Sequence, residues 1–157
     1  MRPLIFVLTL LISTSIFGKG TWDEKNTSHF LKGHGYAATH QTEIALIIPY
    51  QSCAGSSQVI FDFLRDHADS PIFSVLHGTT AREIARDPLF RNISFSKIIT
   101  QSAAKESLPD QANTIKVAYI YNSEVRLVEP LDCHNFTTQS QKMVDFLNYG
   151  KQMMSQR

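Results

Sequence analysis

The sequence predicts an α/β fold of one domain, with a mixed central sheet, helices on both of its faces and a C-terminal helix. Three observations carry that expectation. Glu43 to Tyr50 (EIALIIPY) is a short, continuous apolar run of the kind found in strands buried on both faces. Ile115 to Tyr121 and Glu124 to Glu129 are β-rich runs separated only by Asn122-Ser123, a connection that closes an antiparallel hairpin. Helical spacing then supplies the covering layers: Val59, Ile60, Phe63 and Leu64 share one face, and Met143, Phe146, Leu147, Gly150, Met153 and Met154 share another.

The remaining elements follow in chain order. Residues 19–41 are rich in Gly, Thr, His, Asn and Lys without a sustained apolar period, and are expected to form a tether or irregular extension. The buried strand and the helix opened by Gln51 to Ser57 are followed by Pro71 to His77, a second strand by content, and by Thr79 to Ala85, a short helix with threonine at its start. Strand, crossover helix and strand make a right-handed parallel pair. Ile93 to Thr100 is read as an additional strand and Ala103 to Ser107 as a turn of helix. Thr138-Gln-Ser-Gln141 has the form of a capping box opening the last helix.

A chain of 157 residues is the size of one ordinary domain. Fifteen basic against fourteen acidic residues leave a net charge of +1, so composition implies no nucleic-acid partner. With 18% charged and 43% hydrophobic residues, the chain is not of disordered composition. Arg2, the apolar run Leu4 to Leu11 and the tail Ile12 to Gly18 match a secretory signal peptide over residues 1–18, with cleavage expected near Ser15, Gly18 or Gly20. The expected destination is the periplasm or the exterior, with a membrane association only if that segment is retained. In such a compartment the two cysteines, Cys53 and Cys133, can persist as a disulfide. Three N-x-S/T sequons, at Asn26, Asn92 and Asn135, carry weight only in a eukaryotic secretory pathway.

The order of strand, cysteine, helix, strand, variable stretch, hairpin and terminal helix is similar to the thioredoxin fold over roughly Thr42 to Gln156. The key residues are Ile47-Ile48-Pro49-Tyr50-Gln51-Ser52-Cys53-Ala54-Gly55-Ser56, and the chain looks most like the exported thioredoxin-like proteins of bacterial envelopes. The resemblance implies that Cys53 is the nucleophile. It departs from the family at Ser56, where the second cysteine of the usual pair would stand, and at Thr114-Ile115, where the family has a cis-proline. A peroxiredoxin is disfavoured by Tyr50, where that family has a hydroxyl residue of a different kind three positions before its cysteine.

A helix N-terminus favours a thiolate, which is the reactive form. Ser56 is placed either to donate a hydrogen bond to the Cys53 sulfur or to act as an ordinary capping serine. In this topology the second hairpin strand returns to the edge where the first strand ends, which puts Cys133 on the same side of the sheet as Cys53. Cys133 is therefore a candidate resolving cysteine or half of a structural staple, and the two thiols remaining separate is the alternative. The expected partner is a protein thiol or disulfide, with no cofactor and no metal required. The competing readings are a non-catalytic binding or structural module and a copper-binding accessory protein in which Cys53, Cys133 and His77 or His134 ligate copper(I).

Overall fold

Thr42–Pro49 (β1) is buried along all eight residues, and the rest of the molecule is arranged around it. The computed structural model describes residues 23–50, 57–90, 98–101 and 114–155. In chain order these form Glu24–Gly33 (α1), β1, Ser57–Asp66 (α2), Ile72–His77 (β2), Ala81–Ile84 (α3), Ile98–Gln101 (β3), Lys116–Tyr121 (β4), Glu124–Pro130 (β5) and Phe136–Ser155 (α4). The strands make one mixed sheet of order β3-β2-β1-β4-β5. β1, β2 and β3 run parallel, β4 is antiparallel to β1, and β5 is antiparallel to β4.

Alternation along β1 divides the core in two. Ile44, Leu46 and Ile48 point to the face covered by Ile60, Phe61, Phe63 and Leu64 of α2 and by Phe136, Met143 and Leu147 of α4. Ala45 and Ile47 point to the other face, with Val75, Ala118 and Ile120, under Phe30 and Leu31 of α1. A strand with helices on both sides has no solvent face, which is why the run reads as continuous rather than alternating. At the hairpin, Asn122 and Ser123 both have positive φ, 50° and 66°, the backbone that a tight two-residue turn requires.

Two sequence expectations need correction. Residues 24–33 are not irregular: they form α1, capped by Asp23, whose carboxylate accepts from the Asn26 N–H at 2.7 Å. Thr27, Phe30 and Leu31 make a buried stripe only one turn long, too short to register as a sustained period. The capping box expected at Thr138-Gln141 does not open the last helix either. α4 begins at Phe136, directly after a 3-10 turn at Cys133–Asn135 whose cap is Asp132, accepting from the His134 N–H at 2.9 Å. Gln139 is instead engaged with the end of β5, accepting from the Asp132 N–H at 2.8 Å and donating to the Pro130 carbonyl at 2.9 Å.

The strand expected at Ile93 to Thr100 is present as β3 over its last part. Its first part lies outside the described residues, as do the helical turn at Ala103 to Ser107 and the segment read as a signal peptide. No helix among the described residues is long and apolar enough to cross a membrane.

The link between α1 and β1 is fixed by one carboxylate. Glu43 is 3% exposed, and its Oε1 accepts from the Thr39 N–H at 2.7 Å, the Thr39 hydroxyl at 2.9 Å and the His40 N–H at 2.7 Å. Its Oε2 accepts from the Tyr36 hydroxyl, and the Tyr36 ring stacks on Phe73. Burial pushes the Glu43 carboxyl up, but the hydrogen bonds from Tyr36, Thr39 and His40 outweigh that and hold it below its ordinary value of 4.5. A carboxyl depressed in the fold contributes stability that is present above pH 4.5 and is lost as pH falls through the folded value. Glu43→Gln is therefore expected to cost about 1–3 kcal/mol in urea denaturation at pH 7. The gap from the parent should narrow as pH falls below 4.5; a gap that stays constant into strong acid would show that the charge is irrelevant.

Candidate functional site

In open sheets with parallel strands, chemistry concentrates beyond the carboxyl ends of those strands. Here that edge is defined by register: Pro49 of β1 pairs with His77 of β2, and His77 pairs with Gln101 of β3. On the other side Ile47 pairs with Lys116, and Lys116 pairs with Pro130, the last residue of β5. The ends of β1, β2, β3 and β5 thus lie together with the start of β4.

The chain leaves β1 through Tyr50, whose N–H donates to the His77 carbonyl at 3.0 Å. The Tyr50 hydroxyl donates to Asp87 at 3.0 Å, and its ring lies 6.4 Å from that of Phe90. Burial, the hydrogen bond to Asp87 and the negative charges of Asp87 and Glu83 all raise its pKa, so it is a protonated phenol. Gly78, at φ +82°, turns the chain after β2 into a capping box in which the Thr80 hydroxyl accepts from the Glu83 N–H at 3.3 Å. The Glu83 carboxylate accepts in return from the Thr80 N–H at 2.8 Å and from the Thr79 hydroxyl at 3.1 Å. This box fixes the turn beside Tyr50.

Two buried polar side chains mark the edge, His77 and Lys116, each 5% exposed. By strand alternation His77 follows Val75, and Lys116 precedes Ala118, so both belong to the face that α1 covers, opposite α2 and α4. Burial lowers the pKa of each, that of His77 to about 4. His77 is therefore a neutral imidazole at physiological pH and supplies no positive charge for a thiolate.

The structure places the sequence candidates unevenly. Cys53 and Ser56 lie outside the described residues, between the described flanks Tyr50 and Ser57. Cys133 opens the 3-10 turn that follows β5, so its backbone stands at the carboxyl edge. That turn is tied to the sheet by Leu131, whose N–H donates to the Ile115 carbonyl at 2.8 Å. His77 is at the same edge, as the sequence suggested, whereas His134 is exposed beside the Asp132 cap. Among the described residues no group of three His, Cys, Asp or Glu side chains is arranged to hold a metal ion.

Sequence reasoning missed Lys116 and the Tyr50–Asp87 bond. Lys116 had a visible signal, a lysine inside the otherwise apolar run IKVAYIY. The Tyr50 bond had none, because 37 residues separate its partners.

The state of His77 makes a prediction. A histidine whose folded pKa is depressed from 6.5 to about 4 binds protons more weakly in the fold than in the unfolded chain. Stability then falls as pH drops from 6.5 toward 4, and His77→Gln should flatten that part of the pH–stability curve. Ring resonances followed by NMR should titrate near pH 4; a midpoint near 6.5 would refute the burial argument.

No protein-family model, curated protein or solved structure gives a significant match to this chain.

Proposed function

We propose that this is an exported thioredoxin-like thiol protein in which Cys53 is the nucleophile and Cys133 its resolving partner. The observation that supports the reading is the return of β5: Pro130 is level with Lys116 and Ile47, so the chain reaches Cys133 at the edge where β1 ends. Two strand spacings, about 10 Å, separate the ends of β1 and β5. Three residues link Tyr50 to Cys53, and a chain of that length spans up to about 11 Å. The reach is compatible with the Cα separation of about 5.5 Å that a disulfide needs.

In the proposed exchange, the Cys53 thiolate attacks one sulfur of a partner protein's disulfide, and the other partner sulfur leaves as a thiolate. The Cys133 thiolate then attacks the Cys53 sulfur, closing a Cys53–Cys133 bond and releasing the partner's second thiolate. The partner disulfide is reduced to a dithiol and the cysteine pair is oxidised; the reverse sequence oxidises a partner dithiol. Ser56 would act by hydrogen bonding to the Cys53 sulfur.

A second reading, the non-catalytic module, is favoured by the charges of Asp87 and Glu83. They raise the Tyr50 phenol, and a thiolate close by would be disfavoured in the same sense. A Cys53–Cys133 bond would then be a staple.

Thiol counting, peptide mapping and the pH dependence of alkylation separate the readings. The exchange reading expects a Cys53–Cys133 bond in the oxidised protein, ready reduction by a dithiol, and an alkylation midpoint for Cys53 below the free-thiol value of about 8.5. Cys133→Ser should remove the resolving step and trap Cys53 as a mixed disulfide with the partner. A bond that resists reduction until the protein unfolds supports the staple, and two free thiols of ordinary reactivity overturn the exchange reading in favour of the non-catalytic module.

A further inference from the structure

At the amino ends of β1 and β2, opposite the cysteine edge, lies a cavity of about 510 Å³ between the residues 35–40 that lead into β1 and the turn before β2. Its volume falls in the range of small-molecule sites. Glu43 is among its lining residues, as are Tyr36 and Phe73, whose rings stack with centroids 4.9 Å apart and an interplanar angle of 14°. Asp69, exposed on the turn, adds a second carboxylate.

The lining contains no Lys or Arg among the described residues, and His40, whose ring is 3.4 Å from Glu43, is its one basic group. Glu43 is satisfied by neutral donors, so its charge is solvated but not cancelled. The cavity therefore presents a negative field in a partly enclosed, aromatic-walled space. That combination repels anions and attracts cations.

The same hydrogen bonds decide which cation. Three donors converge on Glu43 Oε1 and the Tyr36 hydroxyl takes one site of Oε2, so most of the acceptor capacity of the carboxylate is engaged and a single site on Oε2 is left. A hard metal ion needs direct oxygen ligation and would have to break this set. An alkylammonium ion needs only the field, and its weakly hydrated CH surface suits aromatic rings. We propose that the cavity formed by Tyr36, Glu43, Asp69 and Phe73 is a binding site for a small alkylammonium compound.

The test is an amide NMR titration of the purified protein with tetramethylammonium chloride and with butylammonium chloride, at constant ionic strength, with sodium butyrate as the anionic control. Saturable shifts confined to residues 36–43 and 68–73 are expected with the ammonium salts and not with butyrate. Asp69→Asn, at an exposed position, should weaken binding threefold or more, whereas Asp145→Asn on α4 should leave it unchanged. The inference is overturned by shifts that do not saturate, by equal shifts with butyrate, or by an Asp69→Asn variant that binds as the parent does.

Discussion

Both edges of β1 are hydrogen-bonded and both of its faces are covered, and the other elements take their places from that constraint. A strand with no exposed side cannot shift register by one residue without exchanging Ile44, Leu46 and Ile48 for Ala45 and Ile47 between two cores of different volume. The larger core takes aromatic side chains from α2 and α4, including Phe61 and Phe63. The smaller one has alanine at two central positions, Ala45 and Ala118, in a cluster with Phe30 and Leu31 of α1. Register in β1 fixes β2 and β4, these fix β3 and β5, and the carboxyl edge is what results.

The two faces are secured by different physics. α4 is 20 residues long and follows β5 through a short 3-10 turn, so its packing is built into the chain order. α1 is ten residues long and buries only three of them, a helix that would be marginal by itself. Its position depends on contacts at its exit: the Glu43 carboxylate, the Tyr36–Phe73 stack, and the His34 ring nitrogen 2.7 Å from the Phe30 carbonyl. A buried carboxylate is costly unless hydrogen-bonded, and here every donor comes from the seven residues before it. The acid and its donors thus form a local unit that makes the entry to β1 rigid.

What the sequence disclosed follows the same division. β1, the first hairpin strand β4, α2 and α4 bury apolar faces, and periodicity reports such faces directly. α1 escaped because a single buried turn, Thr27, Phe30 and Leu31, carries no repeat. Its anchor was nevertheless written locally, as Tyr36, Thr39, His40 and Glu43 at spacings that let one carboxylate collect four donors. The placement of Cys133 at the carboxyl edge was legible because strand pairing is arithmetic: one antiparallel step and one return bring the chain back to its starting edge. No such arithmetic bears on the six residues between Tyr50 and Ser57, which lie outside the described residues.

The chemistry open to Cys53 on the proposed reading is narrowed by the groups at the exit of β1. A neutral His77 cannot supply the imidazolium of the thiolate–imidazolium pair that activates many reactive cysteines. On the proposed reading, which sets Cys53 at a helix start, the helix dipole is the source of activation that remains, worth about 0.3–1 kcal/mol at an exposed terminus. The negative charges beside Tyr50 act against it. A thiol so weakly activated attacks slowly at neutral pH unless the partner brings its own positive charge or an acidic leaving thiol. Exchange at this edge would therefore be selected by the partner's chemistry rather than by the intrinsic reactivity of Cys53.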